Sequence, residues 1–250
     1  MTIETILTPA DLPALAQRDL RGTVCVVFDI LRATSTFVTA LHNGASAIIP
    51  VCEIAEAVAL RQRNPEVLLA GERDGVRIRA AQAGGVDFDF GNSPREFSAE
   101  KVRGNIIVST TTNGTRALRA CANAKTVLAA SFLNLGATVD YLREEKEILL
   151  ICAGTGEQSA SEDILAAGAV VEALATGKTT QINKSANSTA ARAAYVQAVL
   201  TNLANAISNS ENGRRLLGIT ELRDDVAFCA RRDVFKLVAR LDADGKLRSV

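Results

Sequence analysis

The feature that most restricts this chain is a repeated unit. A short apolar run ends in a loop of Ser, Thr, Gly, Asn or acidic residues, and a stretch with helical spacing follows at once. Such units leave Asp29, Thr110 and Cys152, without forming a strict sequence repeat. Strand, helix, strand, helix in succession predicts a mainly parallel sheet with both faces covered, because parallel neighbours need a crossover and the crossover helices lie on the faces. The expected fold class is therefore α/β, a three-layer α/β/α arrangement, with a mixed sheet as the variant. The predicted strands are Ile3 to Leu7, Thr23 to Phe28, Ala47 to Val51, Val67 to Ala70, Asn105 to Ser109, Val127 to Ser131 and Ile148 to Ile151. Between them, helical spacing covers Ser35 to Asn43, Ile54 to Arg63, Arg116 to Cys121, a helix ending at Leu142, and Ile164 to Leu174.

Composition limits the partners. The chain has 250 residues and a formal net charge of zero, with no basic patch of the kind nucleic acid requires. It is read as one α/β domain over residues 1–250, with two lobes as the alternative. No apolar run nears the roughly 20 residues of a membrane span, and the N-terminus lacks a signal-peptide pattern, so the expected location is the cytoplasm. Five scattered cysteines form neither a CxxC pair nor a disulfide framework. The single histidine, His42, gives little support to histidine-based zinc sites or to Ser-His-Asp hydrolysis.

The chemistry-bearing residues lie at strand exits, where open parallel sheets bind their ligands. Asp29-Ile30-Leu31-Arg32-Ala33-Thr34-Ser35-Thr36 places a carboxylate, a guanidinium and three hydroxyls together. A carboxylate there suits Mg²⁺, a hard cation that takes one or two carboxylates plus water and phosphate oxygens. The Arg32 fork matches phosphate or carboxylate. Gly71-Glu72-Arg73 repeats the acid-plus-arginine pair, and Glu72 is the second metal-ligand candidate. Gly91-Asn92-Ser93-Pro94 is a turn in which Asn92 and Ser93 can also donate to an anion. Thr110-Thr111-Thr112-Asn113-Gly114-Thr115 supplies more hydroxyl, amide and backbone donors than a helix cap needs. Asp163, with Glu162 as its substitute, is the third ligand candidate, although acids in a first helical turn also stabilise the helix dipole.

Several known phosphate motifs fail on single residues of Cys152-Ala153-Gly154-Thr155-Gly156-Glu157-Gln158-Ser159. A Walker loop lacks its lysine, and a dinucleotide fingerprint meets Ser159 where its third glycine belongs. A cysteine phosphatase loop meets Gln158 where its arginine belongs, so Cys152 is read as buried rather than nucleophilic. An Asp-x-Asp phosphatase is excluded because Leu31 stands where the second Asp would be. Beyond Gly177, Lys178 to Thr189 reads as an exposed connection, Ala190 to Asn209 as a long alanine-rich helix and Arg214 to Leu217 as a helical turn. Asp242-Ala243-Asp244-Gly245 reads as the turn of a final hairpin.

Asp29-Ile-Leu-Arg-Ala-Thr-Ser-Thr, Gly71-Glu-Arg, Gly91-Asn-Ser-Pro, Thr110-Thr-Thr-Asn-Gly-Thr and Cys152-Ala-Gly through Glu162-Asp163 together resemble the successive signatures of the 2-phosphosulfolactate phosphatase family. The likeness runs from about Thr23 to about Gly168, and more loosely from Arg214 to Asp233. It implies a Mg²⁺-dependent hydrolase that converts 2-phosphosulfolactate, or a related 2-hydroxy-acid phosphate ester, to the hydroxy acid and phosphate, a step of coenzyme M biosynthesis. On this reading Asp29, Glu72 and Asp163 hold Mg²⁺. Arg32 and the Thr110 to Thr115 loop bind the phosphoryl group, and Arg73 or the Asn92-Ser93 turn takes the carboxylate or sulfonate. The passage from Val76 to Val86 looks longer than the family's usual connection. A phosphotransferase or nucleotide-using enzyme, and a non-catalytic binder of small anions, are the alternatives. A homodimer through the alanine-rich helix stands beside a monomer.

Overall fold

The computed structural model of the protein describes residues 1–15, 17–176 and 182–250. Its strands are β1 (Thr2–Ile6), β2 (Val24–Phe28), β3 (Ala47–Val51), β4 (Leu68–Arg73), β5 (Val76–Arg77), β6 (Ile106–Thr110), β7 (Thr126–Ala130), β8 (Glu147–Cys152), β9 (Asn183–Lys184), β10 (Ala239–Leu241) and β11 (Leu247–Ser249). Its helices are α1 (Leu12–Leu15), α2 (Ala33–His42), α3 (Ile54–Arg63), α4 (Ala99–Val102), α5 (Gly114–Ala120), α6 (Leu135–Leu142), α7 (Ser161–Ala175), α8 (Ala186–Thr201), α9 (Leu203–Ser208), α10 (Glu211–Leu217) and α11 (Arg223–Cys229).

Side-chain alternation along the strands sets the layers. Cys25 and Val27 of β2 share one buried cluster with Phe37, Val38 and Leu41 of α2 and Ala117 and Leu118 of α5. Val24, Val26 and Phe28 point the other way, into a cluster with Val139 of α6, Val170 of α7 and Tyr195 of α8. A third cluster joins Leu69 of β4 and Val108 of β6 to Ala57 of α3. The result is the expected α/β/α layering. α2 is buried along nearly its whole length, from Ala33 to Leu41. Its hydroxyls are therefore satisfied internally, as buried polar groups must be.

The sheet order is β5-β4-β6-β3-β11-β10-β7-β2-β8-β1-β9. Two parallel blocks, β4-β6-β3 and β7-β2-β8-β1, are joined by the antiparallel hairpin β10–β11, whose strands pair with β7 and β3. Three successive antiparallel pairings make the blocks run in opposite senses. Sheet twist accumulates over the steps from β6 to β2 and rotates the two blocks relative to each other. The segments at the exits of β2, β4, β6 and β8 line one cleft.

The structure moves several expected boundaries. β4 continues through Arg73, where the chain was read as a loop after Ala70. Helices α2, α5 and α7 each begin two or three residues before the predicted starts, and none has a side-chain cap to announce it. Residues 178–181 of the expected exposed connection lie outside the described residues. Its remainder is ordered: β9 pairs with β1, and α8 starts at Ala186, where buried Ser188 donates to the Ile3 carbonyl. The alanine-rich helix is split at Asn202, whose side chain caps α9 by accepting from the Asn205 amide. The final hairpin forms as predicted, at the centre of the sheet.

Candidate active site

A cleft of about 290 Å³ lies where the strand exits meet. Asp29, Leu31 and Arg32 line it from the β2–α2 loop, Glu72, Asp74 and Gly75 from the β4–β5 turn, and Asn92 from the turn beyond. Thr112 and Asn113 come from the β6–α5 loop, Gly154, Thr155 and Gly156 from the β8–α7 loop, and Asn212 and Arg215 from α10.

Asp29 leaves β2 with its carboxylate held at one oxygen: Oδ1 accepts from the Ala33 amide at 3.0 Å. Oδ2 has no hydrogen-bond partner among the described residues and faces Gly114, where a Cβ would approach it to 2.6 Å. Gly114 thus contributes the absence of a side chain. Burial, and next the negative charges of Glu72 and Glu162, push the Asp29 carboxyl up to about 7, while the Ala33 amide and Arg32 pull it down. The three hydroxyls that follow, Thr34, Ser35 and Thr36, return to backbone carbonyls. Thr34 donates to Asp29, Ser35 to Ile30 and Thr36 to Asn92.

Glu72 faces the cleft. Its Oε1 accepts from the Thr112 amide and hydroxyl, and its Oε2 from the Gly75 amide. Arg73 is the next residue of the same strand and so projects to the other face. Its guanidinium donates to the carbonyls of Glu72 and Cys52 and to Thr110 Oγ1, outside the cleft. The structure thus places Arg73, expected from the sequence to take the second anion of the substrate, outside the cleft, and strand parity is the sequence signal that separates it from Glu72.

Arg32 follows a cis Leu31–Arg32 peptide. Its Nη1 donates to Asp225 Oδ2 at 2.6 Å and its Nη2 to the Gly75 carbonyl at 2.8 Å. Ser93 donates to the other oxygen of Asp225, so its hydroxyl is engaged away from the cleft, whereas the neighbouring Asn92 lines it. Thr110 donates to the Cys52 carbonyl, and Thr111 and Thr115 exchange hydrogen bonds with each other. Of the threonine loop, only Thr112 and Asn113 open on the cleft. Asn113 spans two loops by donating to the carbonyls of Ala153 and Gly156, and its buried Oδ1 has no partner among the described residues.

Asp163 is buried and takes the amide of Ile30 on one oxygen and that of Gly154 on the other. It clamps the β2 and β8 exits together and does not line the cleft, a different place from the metal-ligand position expected of it. Burial, then the charges of Glu162 and Asp29, hold its carboxyl well above the usual range against the pull of those amides. Glu162 accepts from Asn212 at Oε1, and its buried Oε2 has no partner among the described residues. Asn212 and Asp225 were missed from sequence because their partners lie far away in the chain, and Arg215 because only the packing of α10 brings it to the cleft.

A divalent cation fits this donor set. Among the described residues no three of His, Cys, Asp and Glu close into a metal site by themselves. Mg²⁺, however, characteristically takes one or two carboxylates and completes its shell with water and substrate phosphate. Asp29 presents an unbonded carboxylate oxygen beside Glu72, with Asp74 on the same wall. An anionic ester entering past these carboxylates would be repelled without a compensating cation.

A three-layer α/β fold whose strand exits close on acids, arginines and small hydrogen-bonding groups defines an enzyme acting on a small anionic substrate. The family model of 2-phosphosulpholactate phosphatase matches residues 8–244, and the chain belongs to that family. It is 42% identical over 216 residues to a protein of Thermotoga petrophila named "Probable 2-phosphosulfolactate phosphatase", covering 86% of this chain and 88% of that one. A protein of the same name from Clostridium perfringens is 36% identical over 236 residues, covering 92% and 90%. The passage from Val76 to Val86 supplies no residue to the cleft.

Proposed function

We propose that the chain is a phosphatase that hydrolyses 2-phosphosulfolactate, or a closely related phosphorylated 2-hydroxy acid, with Mg²⁺ as its cofactor. The observation that carries this reading is the meeting of Asp29, Glu72, Arg32 and Arg215 in one cleft at the strand exits. The family match and the names of the relatives support the substrate class. Water adds to phosphorus, the bond from phosphorus to the C2 oxygen breaks, and the hydroxy acid and orthophosphate leave with water's two hydrogens shared between them.

Asp29 and Glu72 would hold the cation, with Glu162 adding negative charge behind Asp29. A cation held by these two carboxylates would supply Lewis-acid withdrawal of charge from the phosphoryl oxygens. Arg32, fixed by Asp225 and Gly75, orients its remaining donors toward the ester. Thr112 and Asn113 offer further polar groups on the opposite wall. Asp163 holds the two loops at the spacing this arrangement needs. A cytoplasmic setting is part of the proposal, supported by five unpaired thiols, four of them buried.

The test is phosphate release from a panel of phosphorylated 2-hydroxy acids, with Mg²⁺ and with a chelator. Metal-dependent release, fastest on 2-phosphosulfolactate, is expected. Absence of release from every ester would overturn the reading, and so would a requirement for ATP.

A further inference from the structure

The two arginines of the cleft are not equivalent. Arg32 is buried and its charge is balanced by Asp225. Arg215, on α10, is exposed, lines the same cleft, and forms no ion pair among the described residues. Its Nη2 donates to Asn212 Oδ1 at 3.0 Å. The same Asn212 donates its amide hydrogens to Thr155 Oγ1 and Glu162 Oε1, which fixes its carbonyl toward Arg215. Gly75 connects the two cations. Its carbonyl accepts from Arg32, and a Cβ built on it would lie 3.3 Å from Arg215 Nη1.

We propose that Arg215 is the receptor for the second anionic group of the substrate, the carboxylate or sulfonate that is not transferred. The proposal rests on the phosphatase reading above and names the residue that selects among esters. A phosphorylated 2-hydroxy acid carries a phosphoryl group and a second anion a few bonds apart. A planar guanidinium with unpaired charge matches such an anion in two-point geometry. No internal carboxylate balances the charge of Arg215, whereas that of Arg32 is already balanced by Asp225. Arg73 of β4 donates to Glu72, Cys52 and Thr110 outside the cleft, and Arg77 of β5 donates to the Phe88 carbonyl.

The test compares wild type with Arg215→Ala and Arg215→Lys, each with folding verified by thermal unfolding. kcat/KM is measured on 2-phosphosulfolactate and on p-nitrophenyl phosphate, a monoester without a second anion. In Arg215→Ala the ratio of the two is expected to fall about 10- to 100-fold, the loss of one charged hydrogen-bonding partner, and to appear chiefly in KM. Arg215→Lys should recover part of it. Calorimetric binding of sulfolactate and of inorganic phosphate gives a second measurement that needs no turnover. Arg215→Ala should lose sulfolactate affinity by a similar factor and phosphate affinity by much less. An unchanged ratio, an equal loss for both probes, or no binding of sulfolactate to wild type would overturn the proposal. A wild type that hydrolyses no ester would count against the phosphatase reading, while the binding comparison would still decide the role of Arg215.

Discussion

Arg32 and Asp225 form a buried ion pair across 193 residues of chain, with Nη1 to Oδ2 at 2.6 Å and side chains 2% and 0% exposed. Ser93 occupies the other carboxylate oxygen at 2.7 Å. The pair fastens α11 to the exit of β2. It also fixes one face of the guanidinium, so that its orientation in the cleft is set before any ligand arrives. Removing water from two charges is costly, and only the good geometry and the additional hydrogen bonds offset that cost.

Asp225→Ala leaves a buried guanidinium without a counter-charge and is expected to destabilise the fold by about 3–5 kcal/mol. Replacing both partners, as Arg32→Met with Asp225→Leu, should restore much of that stability while leaving turnover impaired. Urea unfolding and phosphate release, measured on the same two proteins, check this. Equal stability of the single and double variants would contradict it.

Gly114→Ala places a methyl group 2.6 Å from Asp29 Oδ2 and 2.7 Å from the Ala33 Cβ. The carboxylate must move, and the rigid start of α2 gives it little room. A loss of activity on the order of 10²-fold is expected, as for a misplaced catalytic group, in a protein that still folds. Mg²⁺ affinity measured by calorimetry should fall with it. Activity within a factor of two of wild type would show that Asp29 is not confined against this glycine.

The pH dependence follows from Asp29. Its carboxyl is raised to about 7 from 3.8, first by burial, so between about pH 4 and 7 the folded chain holds a proton that the unfolded chain has released. Stability of the cation-free protein therefore falls as pH rises through this window, by up to about 1.4 kcal/mol per pH unit from this group. A bound cation favours the carboxylate and releases the proton. The rise in Tm produced by Mg²⁺ should accordingly grow between about pH 5 and 8. A Mg²⁺ effect independent of pH would place the cation elsewhere.

Much of the fold was readable because apolar runs and helical periods are local. Ala47–Val51 and Ile54–Arg63 fall where their spacing puts them. The early starts of α2 and α7 were hidden because Arg32 and Ala160, at the cap positions, are not capping residue types, and that of α5 because the Asn113 side chain donates to Ala153 and Gly156 instead of capping. The central place of the β10–β11 hairpin was hidden for another reason. Pairing with β7 joins residues such as Ala239 and Ala129, and pairing with β3 joins Leu247 to Ile48, separations in the chain that no local pattern encodes.

Within the cleft, residues at strand exits were legible as acids and hydroxyls crowded beside apolar runs, as at Asp29 and Glu72. Which neighbour faces inward was not. Reading β4 as ending at Ala70 treated Glu72 and Arg73 as one loop pair, although continued strand alternation separates them. Asn212, Arg215 and Asp225 lie on short helices of mixed composition, and their roles come from what α10 and α11 pack against. Asp163 was recognised as special for its acidity. Its two amide partners, Ile30 and Gly154, make it a clamp between loops.

The most direct measurement is Mg²⁺-dependent turnover of 2-phosphosulfolactate by Asp29→Asn, an isosteric change at the unbonded oxygen of the cleft. The variant should fold, bind Mg²⁺ more weakly, and lose kcat by on the order of 10²–10⁴-fold. Turnover within tenfold of wild type, with its Mg²⁺ dependence intact, would contradict the assignment of Asp29 as the central group of the site.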